Sequence, residues 1–171
     1  MLWSLLFITL IGQSSQDRPG LSSGWEILRL NDKSSFQSSV YTVDGLSYSA
    51  GRAFDGDLDT CSHTEKKINS WWTVDLLGLY EISCITVNNG DHHNIDLTDA
   101  RILIGNSSEG RFTECATITT STRAENKTFN CVNGTKWGRY VTVYKKRLGF
   151  IILCEVMIQG TKKGTMRDSY P

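Results

Sequence analysis

Three groupings of residues in this 171-residue chain have the types and spacing to do chemistry. The first lies in NNGDHHNIDLTDARILIGNSS, residues 88–108, where His92 and His93 stand side by side between carboxylates. Imidazole and carboxylate together suit a transition metal. Adjacent residues of an extended chain project to opposite faces, however, so both rings reach one ion only where the backbone kinks. Solvent-exposed loop imidazoles are therefore the favoured reading of the pair. The second grouping is Asp55-Gly56-Asp57 ahead of Thr60, with Glu155 far along the chain. Asp-Gly alone marks a β-turn. Glu155 interrupts the apolar run FIILCEVMIQG. An unpaired buried charge is costly there, and a partner is required. The third is Ser62-His63. Adjacency supplies no triad, which is a spatial arrangement. H-E-x-x-H and P-loop signatures are absent. No enzyme is expected.

The elements that must position these residues are short and β-rich. The runs WWTVDL (71–76), EISCITV (81–87), ARILIGN (100–106), RYVTVY (139–144) and FIILCEVMIQG (150–160) are separated by turn pairs. These are Asp-Gly at 44–45 and 55–56 and Asn-Gly at 89–90 and 133–134. Such spacing predicts an all-β sandwich or barrel. In WWTVDL, Trp72, Val74 and Leu76 share one face, and Trp71, Thr73 and Asp75 share the other. The tryptophan pair is expected as core and rim, not as a sugar platform. The last run, apolar on both faces as far as Glu155, predicts one central strand. No internal repeat is present, and 161–171 is expected to be a solvated tail.

Eighteen basic and eighteen acidic residues cancel, so no global field draws nucleic acid or anionic membrane. Leu2–Ile11 is an apolar block, too short to span a bilayer and placed to suit a secretory signal peptide over 1–15. No later segment suits a membrane span, and a secreted, extracellular protein is expected. The sequons at Asn106, Asn126 and Asn133 then predict N-glycosylation. Five cysteines in an oxidising compartment suggest two disulfides and one leftover thiol, in any of fifteen arrangements. Cys84, within a strand-like run, suits a small buried hydrophobe. Cys115 and Cys131 bracket a polar hairpin or loop, which leaves Cys61 and Cys154. A closure of that length contributes roughly 4 kcal/mol in the chain-entropy model.

Four stretches in order, FQSSVY (36–41), AFDGDLDTCSHT (53–64) with WWTVDL, NNGDHHNIDLTDARILIGNS (88–107) and GRYVTVY…ILCEVMIQG (138–160), resemble the F-type lectins, or fucolectins. The resemblance covers residues 25–160. It implies a single jelly-roll β-sandwich like the discoidin-like domains of coagulation factors, with disulfides Cys61–Cys154 and Cys115–Cys131. It also implies one structural Ca2+ held by Arg52 O, the Asp55 side chain, Asp57 O, the Thr60 hydroxyl, Cys154 O and the Glu155 side chain. Six oxygens on an irregular turn suit that cation. Here only Leu58 and Asp59 separate Asp57 from Thr60, a shorter loop than many members carry.

For the sugar pocket the resemblance implies a His and two Arg around an Asp, beside a vicinal disulfide. His63 matches the His and Asp91 the Asp. Asn89 stands at the first Arg position, Asp96 at the second, and His92 and His93 replace the Cys pair. The His63-to-Asn89 gap is twenty-five residues, one short of the family pattern. Each lost charge-assisted bond removes about 1.5–3 kcal/mol, and Asp96 reverses the charge. The expectation is a calcium-binding, lectin-like carbohydrate-recognition module with glycans or glycoproteins as partners, with fucose specificity weakened. Self-association into a homo-oligomer would raise weak site affinity. The alternative is a non-lectin adhesion or protein-interaction domain of the discoidin-like class.

Overall fold

The computed structural model describes residues 25–91, 96–108, 110–120 and 125–163. Strands make up almost all of its regular structure. The first six are β1 (Glu26–Ile27), β2 (Ser34–Gln37), β3 (Thr42–Val43), β4 (Leu46–Ser47), β5 (Ser62–His63) and β6 (Ser70–Asn88). These are followed by β7 (Arg101–Gly105), β8 (Phe112–Thr117), β9 (Lys127–Asn130), β10 (Lys136–Lys145), β11 (Ile152–Leu153) and β12 (Glu155–Lys162). A single 3-10 turn, Ala50–Ala53, interrupts them among the described residues. The all-β sandwich expected from the turn spacing, and the jelly roll implied by the resemblance, are what forms. The signal segment 1–15, His92, His93 and residues 164–171 of the expected tail lie outside the described residues.

The spine is β6, 19 residues long. The sequence suggests two strands there, and the structure joins them. Leu77 (φ 57°) and Gly78 redirect the chain without ending the pairing, so one strand serves both layers. Its first half runs between β2 and β10, and its second half between β12 and β9. Period-two alternation holds across WWTVDL. Trp72, Val74 and Leu76 are at most 1 % exposed and face the core, with Ile82, Ile85 and Val87 continuing it. β10 crosses from one half of β6 to the other through an irregularity between Gly138 and Tyr140. Glycine is needed at 138 because a Cβ there would stand 2.9 Å from Gly105 O and also strike the Ile104 side chain.

Two expectations are corrected. The run 150–160 is not one strand: β11 pairs β5, β12 pairs β6, and Cys154 between them is spent on a bridge and on Asn88 O (2.8 Å). The switch of partner breaks the ladder. Thr161 and Lys162, expected in the tail, extend β12 opposite Glu81 and Tyr80. Of the hairpin or loop expected between Cys115 and Cys131, the loop is the one that fits, since β9 pairs with β6. The disulfides Cys61–Cys154 and Cys115–Cys131 form, and Cys84 is a free, buried thiol donating to Gln159 Oε1 at 3.1 Å.

Candidate functional site

At one end of the sandwich the acidic turn is rooted in the core. Trp72 Nε1 donates to Ala50 O (2.9 Å), and Phe54 packs edge-on against the same indole at 6.2 Å. Those contacts fix where the chain leaves the 3-10 turn. Gly56 (φ 84°) supplies the left-handed bend. The Asp55 carboxylate accepts from Asp57 N (3.1 Å) and Thr60 Oγ1 (2.6 Å). Thr60 N and Oγ1 also approach Asp57 O at 3.1 and 3.2 Å.

Glu155 arrives from the far end of the sequence because β12 begins opposite Asn88 and Cys154 is tied to Cys61. Its Oε1 accepts from Gly56 N at 2.6 Å. Burial pushes the Glu155 carboxyl above its ordinary range, and the Asp55 and Asp57 carboxylates push it further, against the Gly56 amide. Negative charge is thus gathered on one turn. Arg52 does not relieve it: its guanidinium lies over the Tyr48 ring (5.1 Å) and donates to Ser47 O (3.2 Å). Among the described residues no three or more His, Cys, Asp or Glu side chains gather to hold a metal. What gathers here is a mixed set of carboxylate, hydroxyl and backbone carbonyl oxygens, the donor chemistry of a hard cation.

Beside the turn, β5 presents His63. Its ring stacks on Tyr41 at 4.6 Å, meets Tyr48 edge-on at 6.1 Å and lies 5.1 Å from Phe150. Nδ1 is 2.5 Å from Thr64 O; a carbonyl only accepts, so Nδ1 carries the proton. Gln37 Nε2 draws the surrounding strands together by donating toward His63 O, Tyr48 O and Ser39 O within 3.0 Å. Gln37, Tyr41, Tyr48 and Phe150 carry no role in the sequence reading, although Gln37 and Tyr41 lie in the quoted stretch FQSSVY. Only the meeting of β2, β5 and β11 reveals the cluster.

Phe150 also lines an open hollow of about 340 Å³ with Lys66, Asp96, Lys145 and Arg147. Lys145 is buried and donates to Asp96 O (2.7 Å) and Thr98 O (2.8 Å), holding the chain that borders the hollow. Asp96 accepts from Thr98 N (2.8 Å); bonding to Thr98, with Lys145 nearby, keeps its carboxyl below the ordinary range. Arg147 pairs with Asp99 at 3.1 Å.

Of the four sugar residues expected from the sequence, two line different hollows and one stands on an exposed turn. Asp96 lines the Phe150 hollow, and His63 meets it through its contact with Phe150. Asn89 is 3 % exposed and lines a separate crevice with Val87, Leu97 and Phe129. Asp91 is exposed on the turn after β6, and that turn is shaped by Asn88, whose Oδ1 accepts from Gly90 N (2.8 Å). The three sequon asparagines, Asn106, Asn126 and Asn133, are all exposed.

Comparison with known proteins fits this architecture. The F5/F8 type C family described as a NedA-like, galactose-binding domain matches residues 52–143, more than half of the chain. Fucolectin-5 of Anguilla japonica is 39 % identical over 124 residues, covering 70 % of this chain; the chain spans 65 % of that relative's length. The fucolectin from the serum of striped bass, Morone saxatilis, superposes with a TM-score of 0.70 at 28 % identity, over 79 % of this chain and 47 % of that one. A Clostridium perfringens CBM32 module, solved with GalNAc-β-1,3-galactose, shares the fold at 18 % identity (TM-score 0.66; 78 % of this chain, 99 % of that one). The chain belongs to the F-type lectin, or fucolectin, family of discoidin-like domains.

Proposed function

We propose that the chain is a secreted carbohydrate-recognition module that takes its glycan in the hollow beside His63 and Phe150. One observation carries the reading: His63 stands within a ring of aromatic side chains, its Nδ1 against Thr64 O, beside the Phe150 wall of an open hollow rich in charged groups. Aromatic faces stack on the apolar face of a sugar ring, and the polar wall orients its hydroxyls. The relatives support the class, since they are fucolectins and a sugar-complexed module. Fucose by the family's two-arginine grip is not expected. Asn89 is buried, Asp96 offers an acceptor, and Arg147 is engaged by Asp99.

Ca2+ is part of this proposal. Arg52 O, Asp55, Asp57 O, Thr60, Cys154 O and Glu155 would hold it, and the crowded carboxylates of the turn fit that cation. When bound, it supplies positive charge that offsets their repulsion. The chain's own residues do the rest: Gly56 permits the bend, and the Cys61–Cys154 bridge anchors Glu155 beside β5. Export through the 1–15 segment and glycosylation at Asn106, Asn126 or Asn133 belong to the same reading.

A glycan array probed with the full chain, with calcium and then with chelator, tests it. The expected result is binding of galactose-type or other glycans in calcium, diminished by chelation; no glycan bound in calcium sinks the proposal. The second reading, an adhesion domain, is favoured by Asn89 and Asp96 standing where the family has its two arginines. A protein partner captured equally with and without competing sugars would select it.

A further inference from the structure

Away from the His63 end, the outward face of the sheet formed by β2, β6, β10, β7 and β8 carries a second hollow, of about 420 Å³. That size lies within the range of small-ligand sites, roughly 300–1,000 Å³. Its walls are the rings of Phe36, Trp71, Phe112 and Tyr144, with Leu103 between them. An outward sheet face is ordinarily polar, and here positions on five neighbouring strands are aromatic or aliphatic instead.

The floor is apolar in practice. Thr73 and Thr142 bond to each other at 2.6 Å, and the Thr73 hydroxyl lies 3.1 Å from Val141 O, so both hydroxyls are engaged. The rings are preorganised. Tyr144 donates from its hydroxyl to Asn69 Oδ1 at 2.7 Å, and Gly105 leaves room for the Phe112 ring, which a Cβ there would strike at 2.6 Å.

One charged group lines the hollow. Arg101 lies over the Tyr144 ring at 5.4 Å, and its Nη1 is 3.7 Å from Glu114 Oε2. That separation is beyond hydrogen-bond distance. Glu114 directs its other oxygen to Thr117 Oγ1 at 2.6 Å. A guanidinium fork with donors to spare thus faces an apolar hollow, which is complementary to an apolar body ending in an anionic oxygen group.

We propose that this hollow binds a small apolar anion, its ring or branched hydrocarbon body against Phe36, Trp71, Phe112 and Tyr144 and its anionic group on Arg101. A sugar is the poorer candidate here, because beside the rings and the engaged Thr73 and Thr142 only Arg101 and Ser108 of the lining could pair its hydroxyls. The site shares no lining residue with the Phe150 hollow.

The test uses the full chain with two fluorescent probes, anionic 1-anilinonaphthalene-8-sulfonate and its uncharged analogue N-phenyl-1-naphthylamine. Saturable one-site binding of the sulfonate to the folded protein is expected, unaffected by galactose or fucose. Arg101→Gln weakens the sulfonate about tenfold, the value of one charge-assisted contact, and leaves the neutral probe within about twofold. Leu103→Trp fills the hollow and removes both. Should that variant lose its thermal transition, Phe36→Glu on the exposed edge strand serves instead and expels the sulfonate. Unsaturable binding, or binding indifferent to these variants, overturns the proposal. So does a sedimentation-detected dimer that Phe36→Glu dissolves while neither probe binds, which would assign the face to a second copy of the chain.

Discussion

Asp55 and Glu155 stand at opposite ends of the folded sequence and meet around the Gly56 amide, whereas Asn89 and Asp96 are near neighbours in sequence and line different hollows. The first pair is brought together by three long-range constraints: the Glu155–Asn88 register, the Cys61–Cys154 bridge and the Trp72 contact to Ala50 O. The second pair differs in burial. Asn89 follows β6 beneath the surface, and Asp96 sits outside on a chain segment held by Lys145. Sequence proximity is therefore a weak guide to a shared site in a sandwich, where register across the sheet decides who meets.

The contrast can be broken at its strongest point. Replacing Cys61 and Cys154 together by Ser is expected to cost about 4 kcal/mol in urea unfolding, because a closure spanning 93 residues is lost. An unchanged midpoint would mean that register alone delivers Glu155. Next comes a difference between the two arginine positions. Asn89→Arg should destabilise by about 3 kcal/mol, since it forces a charge into a buried crevice. Asp96→Arg, on an exposed position, should change stability by less than about 1 kcal/mol. Neither should create fucose affinity, measured by calorimetry; strong gain by the double variant would show that the two positions share a pocket after all.

Calcium at a hundredfold excess over its dissociation constant should add about 2.7 kcal/mol to unfolding, seen as a raised Tm. Glu155→Gln should largely abolish the calcium response. A Tm indifferent to calcium in the native chain would leave the acidic turn as a hydrogen-bonded loop only.

The smallest expected effect lies on the sheet, away from both regions. Arg139 grips Asp75 through two bonds of 2.6 and 2.7 Å and holds its carboxyl below the ordinary carboxylate range, against the effect of burial. A depressed folded-state value means the unfolded chain takes up the proton first. The contribution is whole above the ordinary carboxylate range and is lost as pH falls through the folded-state value. Asp75→Asn should flatten the acid limb of a stability profile measured by denaturant midpoint.

Several features were legible without coordinates, each with a local cause. Alternation in WWTVDL put Trp72 inward and Trp71 outward, since a strand repeats every two residues. Asp44-Gly45 adopts positive φ at both residues and closes the two-residue hairpin between β3 and β4, the geometry that residue pair favours. The family framework carried the disulfides and the jelly roll. Illegible was the continuity of β6 through Leu77, whose φ of 57° is one a leucine rarely adopts. The break at Cys154 was equally hidden, because a fully apolar run gives no periodicity to mark a change of partner.

The sequence by itself determined the all-β class, the faces of the individual strands, the cysteine pairing that the resemblance implies and the stock of oxygen-bearing side chains at Asp55, Asp57, Thr60 and Glu155. Those follow from backbone geometry, from residue types acting over a few positions and from the family framework they compose. Tertiary structure alone decided that Asn89 is buried while Asp96 is exposed, that Tyr41, Tyr48 and Phe150 surround His63, and that Trp71 joins Phe36, Phe112 and Tyr144 across the sheet. These are consequences of register between segments far apart in the chain, where each ladder of hydrogen bonds sets the position of every side chain it carries.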